Sequence, residues 1–87
     1  MVHNFVLVAS GAAEEVGTLA DLMAADPNGM AKGYLPVSTK ILQATSLVNP
    51  KGKAELNFTA PAEPGRYPFL CTFPGHWRIM RGELVVE

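Results

Sequence analysis

The segment "CTFPGHWRIM", Cys71–Met80, contains the only cysteine of the chain, one of its two histidines and a methionine. Pro74-Gly75 predicts a tight turn between the cysteine and the histidine, so that both side chains can face one point. A thiolate, an imidazole and a weakly bound thioether are ligands typical of copper, and a second imidazole would complete a trigonal plane. The other histidine, His3, lies on the inward face of a predicted strand.

Each of these residues indicates little by itself. A lone cysteine is most often a small buried hydrophobe, and a methionine usually fills a core. A cysteine with two histidines also suits tetrahedral Zn²⁺, which leaves zinc as the alternative metal. It is their order and spacing together that favour a copper site.

Composition limits the remaining possibilities. The chain has 87 residues, enough for one domain, with 48% apolar and 17% charged residues. Its net charge of −1 does not favour a nucleic-acid partner, and no apolar run reaches the length of a membrane span. A single cysteine excludes an internal disulfide and any metal cluster held by several cysteines of this chain.

The hydrophobic pattern predicts five strands and one helix. Alternating or continuous apolar runs predict the strands, and apolar residues at helical spacing predict the helix. In chain order the elements are a strand at 3–9, a helix at 13–25, and strands at 41–45, 53–59, 66–71 and 82–87. Mostly β structure with regular turns indicates an antiparallel sandwich with one inserted helix.

Three local features lead to more specific expectations. Residues 49–52, which include Pro50, predict a turn. In the strand at 53–59, the residues Ala54, Leu56 and Phe58 are expected to point inward. Pro68 cannot donate a backbone hydrogen bond, so its strand is expected to lie at a sheet edge or to contain a bulge.

Both ends of the chain resemble one family. "CTFPGHWRIMRGELVV" is similar to the ligand loop of the cupredoxins of the azurin and auracyanin type, and "HNFVLV" resembles their strand with the first copper histidine. The resemblance extends over essentially the whole chain and is loose from Ala12 to Lys53. It implies a cupredoxin-like Greek-key β-sandwich whose mononuclear type 1 copper centre transfers electrons and does not catalyse a reaction.

The resemblance also assigns roles to individual residues. Asn4 would hydrogen-bond near Thr72 and brace the ligand loop, and the backbone N–H of Phe73 would point at the Cys71 sulfur. The implied copper ligands, three in the trigonal plane and the methionine in a weak axial position, are His3, Cys71, His76 and Met80.

A docking surface is implied around the edge of His76. Its partners would be redox proteins such as c-type cytochromes or a fused redox domain, in a periplasmic or otherwise extracytoplasmic location. Arg78 and Arg81 flank this surface and favour an acidic partner. We call this set the docking patch; it comprises Val2, Phe73, Pro74, Gly75, Trp77 and Ile79.

Two other functions and one structural expectation stay open at this point. The domain could bind or deliver copper without transferring electrons, or it could be a structural β-domain with vestigial ligands. Met1 aligns with an internal position of the family, in which two further strands come first. Residues 1–87 are therefore expected to form a single partial domain, completed by strand exchange between two copies or by pairing with an N-terminal segment.

Overall fold

A computed structural model describes residues 2–49, 51–53 and 55–87. The expectations that fall on Met1, Pro50 and Ala54 lie outside these residues. No helix in the described part of the chain is long and apolar enough to cross a membrane. The described elements are β1 (Val6–Val8), α1 (Ala13–Ala24), β2 (Ile41–Ala44), β3 (Gly65–Leu70) and β4 (Arg81–Val86).

The four strands form one antiparallel sheet in the order β2-β1-β3-β4. β1 lies between two neighbours, and its residues Val6, Leu7 and Val8 are at most 1% exposed. Burial of both faces explains why this strand is a continuous apolar run with no polar alternation. The mostly β architecture with one helix after the first strand agrees with the predicted fold class.

Helix α1 covers one face of the sheet. Val16 and Ala20 are buried in a cluster with β1 residues and Leu70 of β3, at the helical spacing that the sequence predicts. Glu14 and Glu15 occupy the first turn, where the helix dipole favours negative charge. The helix ends within one residue of its predicted end, which is the usual uncertainty of a helix boundary.

Neither alternative expected for Pro68 is present. Its strand, β3, lies between β1 and β4 rather than at an edge of the sheet, and its pairing with β4 runs through Pro68 without a bulge. The pairing of β3 with β1 nevertheless covers only Phe69 and Leu70 and stops at Pro68, which has no N–H to donate on that side. On the other side, Pro68 is opposite Glu83 of β4.

The expected strand at 53–59 is also absent from the described residues of that segment. Alternation of apolar side chains produces a strand only where a neighbouring strand accepts its backbone hydrogen bonds. No described strand pairs with residues 55–59, and the outer positions of the sheet belong to β2 and β4. Phe58, expected to point inward, is therefore 37% exposed.

Candidate metal centre

The topology brings the start of the chain and the loop between β3 and β4 to one end of the sheet. His3 precedes β1 and forms an isolated bridge with Val48, with a 3.1 Å bond from its N–H and a 2.7 Å bond to its carbonyl. Cys71 directly follows β3, the neighbour of β1. Its N–H donates to the carbonyl of Met80 at 3.0 Å, which closes the loop between β3 and β4. We call residues 71–80 the ligand loop.

The ligand loop is held by its own backbone. The N–H of His76 donates to the carbonyl of Phe73 at 3.0 Å across the Pro74-Gly75 turn, where Gly75 adopts φ +81°. This conformation favours glycine, because a Cβ would be strained there. The carbonyl of His76 accepts the N–H of Met80 at 2.8 Å. The predicted turn is thus present and orients His76 toward the start of the loop.

Three donor atoms converge at this end of the sheet. The Cys71 Sγ lies 3.6 Å from Nδ1 of His76 and 4.0 Å from Nδ1 of His3. All three donor atoms lie within 4.8 Å of one another. With the bond lengths of a zinc–thiolate–imidazole site, ligands 120° apart in a plane would place sulfur and nitrogen about 3.8 Å apart. The two observed separations lie on either side of that value, so the residues fit one metal ion.

Burial prepares these side chains to act as ligands. Cys71 is 3% exposed and His76 is 7% exposed. Burial, followed by the positive charge of His3, lowers the pKa of His76 below the ordinary value of 6.5. The imidazole of His76 is therefore neutral at pH 7, which is the form that binds a metal ion.

Asn4 connects the two sides of the site. Its Nδ2 donates to the Thr72 hydroxyl and its Oδ1 accepts the Thr72 N–H, both at 2.8 Å. The same Nδ2 donates to the carbonyl of Gly33 at 3.3 Å, and the backbone N–H of Asn4 donates to the Cys71 sulfur at 3.5 Å. This side chain is buried, so these bonds fix the strand of His3 against the start of the ligand loop.

The Cys71 sulfur accepts a backbone N–H that sequence reasoning did not identify. This donor is the N–H of Asn4, while the expected donation from the Phe73 N–H stays a prediction. The antiparallel pairing of β1 with β3 accounts for this, because it aligns the segment before β1 with the segment after β3. The Phe73 ring packs 5.0 Å from the His76 ring.

The docking patch loses one of its expected members. Trp77 is 3% exposed and belongs to the core under α1, so it cannot extend an exposed aromatic surface. A loop residue is buried here because the helix offers it a hydrogen-bond acceptor, Asp21 Oδ1, 3.0 Å from the indole nitrogen. Ile79 is 81% exposed. The other members are exposed or partly exposed: Val2, Phe73, Pro74 and Gly75.

Met80 is placed by its backbone. The hydrogen bond from the Cys71 N–H to its carbonyl places its backbone beside that of Cys71, and the residue is 38% exposed. The assignment of its thioether as an axial ligand stays a prediction.

Sequence reasoning missed that the segment before β2 packs against the ligand loop. The ring centres of Tyr34 and Phe73 lie 5.3 Å apart in an edge-on arrangement, and the Phe73 ring in turn packs against the His76 ring. Tyr34 has φ +50°, which is uncommon for a residue other than glycine. The neighbouring Gly33 was the available signal, because glycine often marks a left-handed turn.

The donor set and the fold together define a copper protein of the β-sandwich class. A family model described as copper binding proteins of the plastocyanin/azurin family matches residues 1–87. The chain belongs to this family, which confirms the predicted class and favours copper over zinc as the metal.

Individual relatives agree with this assignment. Auracyanin-A of Chloroflexus aurantiacus is 40% identical over 86 residues, which cover 98% of this chain and 51% of the relative. Azurin of Pseudomonas aeruginosa is 37% identical over 90 residues, covering all of this chain and 57% of the relative. The chain thus spans little more than half the length of these two proteins.

The solved structures show the same fold. Auracyanin A, described as a blue copper protein, superposes with a TM-score of 0.84 at 39% identity, covering all of this chain and 68% of that one. A dithionite-reduced auracyanin from Roseiflexus castenholzii superposes with a TM-score of 0.77 at 38% identity, covering 100% and 67%. These neighbours confirm the cupredoxin-like sandwich.

Proposed function

We propose that this protein transfers electrons through a mononuclear type 1 copper centre and carries out no catalysis. The ligands would be His3, Cys71 and His76 in a plane, with Met80 as a weak axial ligand. The observation that carries the proposal is the convergence of one buried sulfur and two imidazole nitrogens within 4.8 Å. A copper ion bound by such donors supplies reversible one-electron chemistry.

The surrounding residues support this function by limiting movement. Asn4 joins both sides of the site through Thr72, and the hydrogen bond between Cys71 and Met80 closes the ligand loop. Ligands held in this way need to move little when the charge of the metal changes. Burial of the thiol also keeps water from the sulfur.

The test is a visible absorption spectrum after addition of Cu(II), with Cys71→Ala as the control. We expect an intense band toward the red end that is absent from the variant, because the band arises from a thiolate–Cu(II) bond. A folded wild-type protein that binds Cu(II) without this band would contradict the proposal. A band without reversible one-electron reduction would favour copper binding or delivery instead.

We further propose that electrons enter and leave near His76, through the docking patch without Trp77. The partners would be redox proteins such as c-type cytochromes or a fused redox domain, outside the cytoplasm, as the resemblance implies. Support comes from Ile79, which is 81% exposed in the same loop as His76. Ile79→Asp should slow reduction by a c-type cytochrome and leave the copper spectrum unchanged. Equal reduction rates for Ile79→Asp and the wild type would show that Ile79 is not part of the docking patch.

We also propose that residues 1–87 form one domain whose sheet accepts a further strand at an outer position. β2 and β4 each have one described neighbour, and an unpaired strand edge favours association. The added strand would come from a second copy or from an N-terminal segment. Analytical sedimentation tests the first source: a dimer supports exchange, whereas a stable monomer at all concentrations contradicts it.

A further inference from the structure

The single tryptophan of the chain lies next to a metal ligand but contacts a different part of the molecule. Trp77 directly follows His76, and its indole N–H donates to Asp21 of α1 at 3.0 Å. The His76 ring instead lies 5.0 Å from the rings of His3 and Phe73. Two consecutive side chains of the ligand loop are therefore fixed at two separate places, one in the site and one against the helix.

Helix α1 has an indentation that accepts the indole ring. A Cβ placed on Gly17 would lie 2.3 Å from carbon atoms of the Trp77 ring, closer than packing permits. Glycine is unfavourable in the interior of a helix, so its presence there indicates a packing requirement. In this molecule the requirement is the close approach of the ligand loop to α1.

Charged side chains close the outer side of the same contact. The Arg78 guanidinium lies 4.5 Å from the centre of a Trp77 ring and pairs with Asp21 at 3.2 Å. Arg81, the first residue of β4, pairs with Glu14 of α1 at 3.4 Å. Each exposed ion pair contributes little, but together with the buried indole they tie the end of the ligand loop to one helix.

We propose that Trp77 is a positioning residue for His76. Its indole ring, seated on Gly17 and bonded to Asp21, holds the backbone at residue 77. That backbone sets the direction from which the His76 imidazole approaches the Cys71 sulfur. The inference rests on the proposed function only in requiring that His76 binds the metal. It assigns α1 a role at the centre, although all three donor atoms come from residues outside the helix.

The test uses Gly17→Ala, which fills the indentation, and Thr18→Ala as the matched control. Both changes raise helix propensity, but Thr18 is exposed whereas Gly17 is buried. We expect Gly17→Ala to shift the Trp77 fluorescence to longer wavelength and to move the thiolate–Cu(II) band and the reduction potential. Zn(II) affinity should fall by about 10-fold to 100-fold, the usual cost of disturbing a residue that orients a ligand. Thr18→Ala should change none of these.

A double-mutant cycle separates the contact from general damage. In a Trp77→Leu background, Gly17→Ala should have almost no further effect on the band or on Zn(II) affinity, because the ring it displaces is gone. Additive effects of the two changes would overturn the proposed coupling. Asp21→Ala, which leaves the indentation intact, should shift the band in the same direction and serves if Gly17→Ala does not fold.

The proposal can also be tested, and overturned, in the protein without copper. In the metal-free protein, the NMR signals of the His76 ring should differ between wild type and the folded Gly17→Ala or Asp21→Ala variant. Unchanged His76 signals, together with a displaced tryptophan, would show that Trp77 only fills the core. A wild type without the copper band but with shifted His76 signals in the variants would instead reject the electron-transfer proposal and retain the positioning role.

Discussion

The two histidines of the site are supported in unequal ways. His76 is 7% exposed, lies in a loop held by four backbone hydrogen bonds, and is followed by an indole anchored to α1. His3 is partly exposed, and its backbone is held by an isolated bridge to Val48. One imidazole is thus positioned before any metal binds, whereas the other depends on a few contacts around the start of β1. Metal binding should therefore order the His3 side most.

Asn4 is the contact that makes the two sides one site, so its removal should have the largest effect. In Asn4→Ala, the buried N–H and hydroxyl of Thr72 lose their partner, and each orphaned group costs about 1–3 kcal/mol. We expect the free energy of unfolding of the metal-free protein to fall by about 2–6 kcal/mol. Urea denaturation measures it.

The control is Asn57→Ala, which changes the same side chain at an exposed position and should stay within about 0.5 kcal/mol of wild type. If Asn4→Ala is as stable as this control, the two sides of the site are not coupled through Asn4.

A smaller effect should come from the His3 side alone. The Thr45 hydroxyl accepts the N–H of Phe5 at 3.0 Å, two residues after His3. Thr45→Val keeps the shape but leaves that N–H without a partner, at a cost of about 1 kcal/mol. Hydrogen exchange should become faster at His3 and Phe5 and stay unchanged at Met80, as observed by NMR.

The control is Thr59→Val, at an exposed position outside the sheet. It should change the rate of hydrogen exchange neither at His3 and Phe5 nor at Met80. If hydrogen exchange at Met80 became faster by the same factor in Thr45→Val, both histidines would belong to one cooperative unit. The two histidines would then not differ in how they are supported.

The smallest expected effect comes from pH. Because the folded protein lowers the pKa of His76, the unfolded chain takes up a proton first as the pH falls through 6.5. The contribution of the neutral imidazole is therefore complete above pH 6.5 and is lost as the pH falls toward the lower pKa of the folded state. Thermal melts of the metal-free protein at several pH values should show this loss in wild type and not in His76→Asn. If wild type and His76→Asn lost the same stability on acidification, the loss would come from groups other than His76.

The sequence was sufficient to predict the site where its determinants are local. The Pro-Gly turn, the order of donors in the ligand loop and the apolar run of β1 lie within short segments, and the pairing of β1 with β3 then brings His3 to Cys71. The resemblance to a known family supplied the role of Asn4, which spacing alone does not indicate.

The errors arose where the outcome depends on residues distant in sequence. The alternation at 53–59 is a good strand pattern, but a strand also needs a neighbour, and none of the described strands pairs with it. Trp77 looks like a surface residue in a loop until Gly17 and Asp21, about sixty positions earlier, are known to face it. Neither fact can be obtained from a local pattern.

X-ray absorption at the copper edge of the Cu(II)-loaded protein tests whether the thiol and the two imidazoles bind one copper ion. We predict one short copper–sulfur distance and two copper–nitrogen distances of imidazole type, from Cys71, His76 and His3. Cys71→Ala should lose the short sulfur contribution and keep the imidazoles. A wild-type spectrum with only nitrogen and oxygen neighbours, from a protein shown to be folded and loaded with one copper per chain, would contradict a copper centre bound through Cys71.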